Sequence, residues 1–384
     1  MLGLRSEERS VECSGESGKE KLRMNRCVRC GFPDTRPGMI FEKGTCQACL
    51  NFEKRRSVDW TERGEYLGKV CEDARGKGIG YDVLIPVSGG KDSHTLVHEM
   101  EERGMRILLF NVADWFTTTR AGAFNLANLA RRHNLITMKM SRELFVKATR
   151  HAFERTGEAL KYIEYLIYLW PIRYAQKMGI PLVLFGEDSA YQYGTSKVES
   201  TSANDQVSRM ADSFRAETKF WTEAGIEGED IERGCFGLTT PFGYPMVLWA
   251  SYFWPWDSQA NLRVAKAMGF RTLSDTGEWD RKGVFSDDDF EQMDSVAYLV
   301  HLWLKYPKFG FQRAMDTATR RWRLGAISAE ERDRAIVELD PVLDPWARHD
   351  FCMTLGYAES EFWEVVGRIC AKDASGNPLY WKGR

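Results

Sequence analysis

Apolar and polar positions change their period along the chain in a way that alternates short buried strands with amphipathic helices. The run YDVLIPV, residues 81–87, is almost wholly apolar between glycine-bearing segments, the pattern of a strand covered on both faces. DSHTLVHEMEERG follows, with Leu96, Val97 and Met100 at helical spacing and Gly104 as a stop. MRILLFNVAD predicts a second strand, residues 121–133 a second helix and LITMKM a third strand. Ser141 to about Gly157 predicts a helix, Leu160 to about Met178 another that Pro171 must kink or split, and PLVLFGED a fourth strand. Strands alternating with helices imply parallel βαβ units: an α/β fold with a doubly wound parallel sheet and ligands at the carboxyl ends of its strands. Beyond Ser200 the pattern changes. Residues 200–235 are polar and read as loop or short helices, and 288–384 as mostly helical, with Ser328 and Glu331 in capping-box spacing. The organisation expected is a disordered tail at 1–24, a cysteine-rich module at 25–57, the sheet domain at 58–200 and a mostly helical substrate or partner region at 201–384.

Composition narrows the class. With 384 residues and 43% hydrophobic content the chain can bury a substantial core, and a net charge of -2 gives no overall field toward nucleic acid or an anionic membrane. The first residues lack an apolar signal core, and the apolar stretch from Tyr244 to Trp256 is broken by Pro245, Ser251 and Pro255. That stretch is expected to line a core or pocket. Nine cysteines, an odd number with four clustered early, fit a reducing cytoplasm better than a disulfide framework.

The early cluster, CVRCGFPDTRPGMIFEKGTCQAC, holds two CxxC pairs. Two knuckles of this spacing present four thiolates to one tetrahedral ion, so Cys27, Cys30, Cys46 and Cys49 are read as a structural zinc site, with a redox pair or an iron–sulfur cluster as alternatives.

PVSGGKDS, residues 86–93, lies between the first strand and its helix. Gly89 and Gly90 permit tight backbone, so the loop predicts a nest of amides at a helix N-terminus, to which Ser88 and Ser93 add hydroxyls and Lys91 a charge. Asp92 among anion-binding groups points to an accompanying Mg²⁺. At the ends of later strands, Asp114 is placed to reach a ribose or adenine edge, or else to cap a turn. Gly186, Glu187 and Asp188 bring two carboxylates to the same sheet edge, to bind Mg²⁺ or orient substrate, or else form a solvated loop. The loop resembles the PP-loop of the ATP pyrophosphatases. That resemblance implies a grip on the β- and γ-phosphates of ATP as a leaving group while a substrate oxygen attacks the α-phosphorus, with Lys91, Asp92, Glu187 and Asp188 as the catalytic candidates.

Beyond the loop only Cys235, Cys352 and Cys370 remain, well separated, which weighs against sulfur transfer. Around Cys235 the RGCFG segment has Arg233 where a glutaminase elbow needs glycine, so the chain should take ammonia from a separate glutaminase subunit or as free ammonium. The order of the cysteine pairs, PVSGGKDS, GEDSAYQYG, SYFWPWDSQANLRVAKAMGF and KFGFQRAMDTATRRWRLGAISAEE resembles the N-acetyl sugar amidotransferase family of bacterial surface-polysaccharide clusters, with GED standing for the family's usual GEN. The resemblance implies conversion of an acetamido group to an acetamidino group on an N-acetylated, nucleotide-linked sugar. Trp256 in an aromatic wall and Asp257 are then expected to hold the sugar, and Lys308 with Arg313 a diphosphate, whereas Arg320, Arg321 and Arg323 read as surface charge. The alternatives are another PP-loop enzyme, such as a tRNA thiolase or an amidine-forming biosynthetic enzyme, or a nucleotide sensor without turnover.

Overall fold

The computed structural model describes residues 25–235, 245–279, 288–381 and 383, and the expectation of a disordered tail at 1–24 lies outside them, as does the side chain of Cys235. A small antiparallel hairpin, β1 (Phe41–Glu42) and β2 (Thr45–Cys46), belongs to the cysteine-rich module. The main sheet contains β3 (Val83–Pro86), β4 (Ile107–Ala113), β5 (Asn134–Lys139), β6 (Leu182–Phe185) and β7 (Met246–Trp249) in the order β5-β4-β3-β6-β7, every pairing parallel. The chain enters at the central β3, winds outward through β4 and β5, then returns to continue on the other side with β6 and β7. The loops that leave β3 and β6 therefore diverge, opening a crevice at the carboxyl edge.

Alternation along the strands feeds two cores. Leu84, Phe110, Val183, Phe185 and Trp249 face one side, packed by helices Arg142–Thr156 and Lys161–Met178 and by helices of the C-terminal region. Ile85, Leu109, Leu184 and Leu248 face the other, against helices Trp60–Ala74 and Lys91–Glu102. Burial on both faces explains why the strands read as continuous apolar runs.

The four expected strands are present, and the helix after Ser141 begins on that residue's cap, which accepts from the Leu144 amide, and ends at Gly157 in the left-handed region. Two features need a physical account. Helix Lys161–Met178 continues through Pro171 as one element. The lost hydrogen bond and ring clash cost about 3 kcal/mol, but Leu166, Leu169 and Ile172 are buried on either side of the proline, and their packing offsets it. The sheet also takes a fifth strand, β7, from beyond residue 200. MVLW is only four residues long, too short to set a period apart from the aromatic segment that follows. The C-terminal region is helical as expected, with helices Tyr298–Trp303, Lys305–Phe309, Arg313–Arg323, Ala329–Leu339, Pro345–Leu355 and Glu359–Ile369. Among the described residues no helix is long and apolar enough to cross a membrane.

Candidate active site

The loop after β3 is shaped by its glycines and by two side chains that return to it. Gly89 has φ +90, and a Cβ there would come within 2.9 Å of the Leu126 amide nitrogen, so only glycine fits. The Ser88 amide donates to Ser93 Oγ at 3.1 Å and the Gly90 amide to Ser88 Oγ at 3.3 Å. His94 is buried and stays neutral, since burial lowers its pKa, and its Nδ1–H donates to the Gly90 carbonyl at 3.0 Å, turning that oxygen toward the helix. The amides of Gly89, Lys91 and Asp92 have no partner among the described residues, so the loop ends as a cluster of open donors at the N-terminus of helix Lys91–Glu102.

This loop lines a cavity of about 430 Å³. Opposite it runs the segment from Asp288 to Ser295, held down by a hydrogen bond from Thr119 Oγ1 to the Met293 carbonyl. The approach is close enough that a Cβ on Gly122 would lie 2.5 Å from that carbonyl oxygen. The segment brings Glu291 into the centre of the site, 3% exposed. Its carboxylate lies 3.2 Å from Lys91 Nζ, 2.6 Å from Arg313 and 3.6 Å from Arg320. Burial pushes this carboxyl up, but the three cations outweigh burial and hold it well below the usual carboxylate range. Lys91 is also 3.1 Å from Asp92, whose other oxygen accepts from Asn261 Nδ2 at 2.7 Å.

Two further cavities adjoin. One of about 240 Å³ is lined by Val87, Phe110, Val112, Phe185 and Trp249 at the strand ends, together with Ser88, Ser93 and Gly186. The other, of about 180 Å³, lies between the cysteine-rich module and the sheet edge and is lined in part by Trp60, Trp256, Asp257, Gln192 and Tyr193. Glu187 alone among the described residues lines all three. Burial raises its pKa above the ordinary carboxylate value, with Arg320 and Arg313 opposing, and Tyr193 Oη donates to it at 3.3 Å.

The other residues singled out from the sequence fall as follows. Asp188 is 3% exposed and structural in position: it accepts from the Tyr191 and Ser200 amides and shapes the loop after β6. Asp114 takes the turn role, accepting from the Phe116 amide at 2.9 Å, and lines none of the three cavities. Asp257 caps helix Ser258–Ala267 through the Ala260 amide while bordering the smallest cavity. Lys308 is 3.9 Å from Glu158 and lies away from the three cavities, whereas Arg313 is central. Arg320 corrects the surface-charge reading. It lies on the same helix face as Arg313 and Asp316, two turns from Arg313, and points at Glu291. A charge run and a charged helix face directed inward look alike in sequence. Glu291 does not read from the sequence because its contact with Lys91 of the loop spans two hundred positions, and Asp294 and Lys305, which line the same cavity, follow no local motif.

The cysteine-rich module completes the site from outside. Cys27, Cys30, Cys46 and Cys49 are buried, their sulfurs all within 4.8 Å of one another, with Cys27 to Cys49 at 4.0 Å and Cys30 to Cys46 at 3.6 Å. A tetrahedral ion with metal–sulfur bonds of about 2.3 Å needs sulfurs about 3.8 Å apart, so the set fits one such ion. The module docks through Asn51, whose amide donates to the Tyr191 and Ser196 carbonyls, and through Phe32, whose ring lies tilted against Phe311 at 5.0 Å. It also sends Arg36 into the large cavity, paired with Asp316, which Lys305 meets from the other side at 3.0 Å.

Residues 285–375 match the family described as LPS biosynthesis protein WbpG-like, C-terminal domain. The match covers the segment that supplies Glu291, Arg313 and Arg320. No curated protein matches the chain. Among solved structures, NMN synthetase from Francisella tularensis is similar at 12% identity and a TM-score of 0.32, over 79% of this chain and 94% of that one, a likeness too distant to bear on the chemistry.

Proposed function

We propose that the chain is an ATP-dependent amidotransferase of surface-polysaccharide biosynthesis, which adenylates the N-acetyl oxygen of a sugar and replaces it with ammonia from a partner glutaminase. The observation that carries this reading is the meeting of three cavities at Glu187. The large cavity, with open amides, Lys91 and Arg313, suits a triphosphate, and the apolar one at the strand ends suits a nucleoside. The third suits an acceptor. The match of residues 285–375 to a lipopolysaccharide-biosynthesis family supports a sugar as that acceptor.

In this reading the loop amides and Lys91 hold the β- and γ-phosphates, and Arg313 and Arg320 take the charge that develops on them. The acetamido oxygen attacks the α-phosphorus, the bond to pyrophosphate breaks, and the amide N–H proton leaves to give an O-adenylyl imidate. Ammonia adds to the imidate carbon and AMP departs, leaving the acetamidine. Glu187, with its raised pKa and its place between nucleotide and acceptor, is the group suited to take these protons. Asp92 is the carboxylate suited to share Mg²⁺ with the phosphate oxygens, where the ion would neutralise departing charge. Zinc is assigned to the four thiolates as a structural ion. No cysteine lines any of the three cavities among the described residues, which disfavours the sulfur-transfer alternative.

The test is incubation with ATP, ammonium and a set of UDP-linked N-acetyl sugars. AMP with pyrophosphate is expected, along with a product lighter by the difference between an oxygen and an imino group. ADP formation, or no turnover with any acceptor, overturns the proposal.

A further inference from the structure

The smallest of the three cavities has features that the nucleotide does not need. Its inner wall is Glu187 and Tyr193, and one side is Asn51 and Phe52, from the module's helix Gln47–Arg55. Trp60 and Trp256 present aromatic surface, and Trp256 is fixed against the sheet edge, its ring 3.2 Å from where a Cβ on Gly186 would lie. Gln192 also lines the cavity, and its Nε2 is buried with no hydrogen-bond partner. A buried donor left unpaired in this way is destabilising until an acceptor arrives. Arg323 borders both this cavity and one of about 400 Å³ beside it; its charge is felt at Cys30, and it has no carboxylate partner among the described residues. Aromatic faces, a waiting amide donor and a guanidinium without a carboxylate partner form a set that matches a pyranose bearing a phosphate. A volume of about 180 Å³ accommodates a sugar ring.

We infer that this cavity is the acceptor site, that it binds an N-acetylated pyranose phosphorylated at C1, and that the metal module forms one of its walls. The acetamido group points inward to Glu187, Gln192 donates to a sugar oxygen, and Arg323 meets the anomeric phosphate. This rests on the amidotransferase reading and adds a location and a ligand class to it.

Saturation-transfer difference NMR on the full, metal-loaded chain tests the site, with UDP-N-acetylglucosamine and N-acetylglucosamine 1-phosphate as probes and the acetyl methyl as reporter. Trp256→Ala and Gln192→Leu should each weaken probe binding tenfold or more, and Arg323→Ala should do so for the phosphorylated probes while leaving N-acetylglucosamine itself unaffected. ATP affinity by calorimetry should stay within twofold of wild type in all three. Gln192→Leu preserves side-chain volume and guards against a Trp256 variant that fails to fold. Unchanged probe binding in folded Gln192→Leu and Trp256→Ala overturns the site, as does an absence of binding to the wild-type chain. The two readings separate cleanly: AMP formation that is indifferent to these variants leaves the reaction standing without this site, and sugar binding without AMP formation removes the reaction.

Discussion

At the residue scale the centre of the site is an exchange between burial and charge. Glu187 is buried and carries a raised pKa, because nearby Arg320 and Arg313 only partly offset its desolvation. A base of this kind works when deprotonated, so kcat/KM is expected to fall as pH drops through a value above the ordinary range of a glutamate. Glu187→Gln should remove that acid limb and cost about 10²–10⁴-fold in rate; a pH profile of AMP release checks both. A second buried carboxyl reports on stability. Asp340 accepts from the Met315 amide at 3.0 Å, but its Oδ2 has no partner, and burial pushes its pKa up to about 8. The unfolded carboxyl titrates near about 4. Its contribution to stability is therefore complete below that pH and is lost as pH rises toward about 8. Asp340→Asn should flatten this decline, visible as a smaller drop in Tm between pH 5 and pH 8. Sequence made Lys91, Asp92, Glu187 and Arg313 legible, since each stands in a local motif or on a patterned helix. It did not reveal Glu291, which follows no motif and gains its role only through three cations brought from two distant helices.

At the scale of elements, the strand–loop–helix unit carries the most exact demands. Gly89→Ala places a side chain in a backbone region that disfavours it and against the Leu126 amide, so ATP binding should be lost while the remaining fold persists, as calorimetry and circular dichroism would show. A milder test belongs to helix Ala329–Leu339. Ser328 and Glu331 form the reciprocal capping box expected from their spacing, and Ser328→Ala should cost about 1 kcal/mol in denaturant unfolding. Caps and buried strands are legible because local chemistry decides them. The long helix through Pro171 and the late strand β7 are decided by packing on a sheet assembled from elsewhere, and neither reads from its own residues.

At the scale of the molecule, the four-cysteine module is tied to the candidate site, since Arg36 and Asn51 join it to the large cavity and to the loop after β6. Stripping the ion with a strong chelator should therefore abolish AMP formation as well as loosen residues 25–52, measurable together by hydrogen exchange and activity; full activity in metal-free protein would contradict the coupling. The chain's net charge of -2 offers no long-range pull on a nucleotide, so attraction has to be local. Locally, the seat proposed for a triphosphate already has a tenant. With Glu291 paired to Lys91, Arg313 and Arg320 and cancelling part of their charge, an arriving polyphosphate competes with a carboxylate, as a solute does on an ion-exchange resin. Such a seat is expected to discriminate by valence: a triphosphate should displace the tenant where chloride or a monophosphate does not, and the carboxylate's return should help expel spent pyrophosphate.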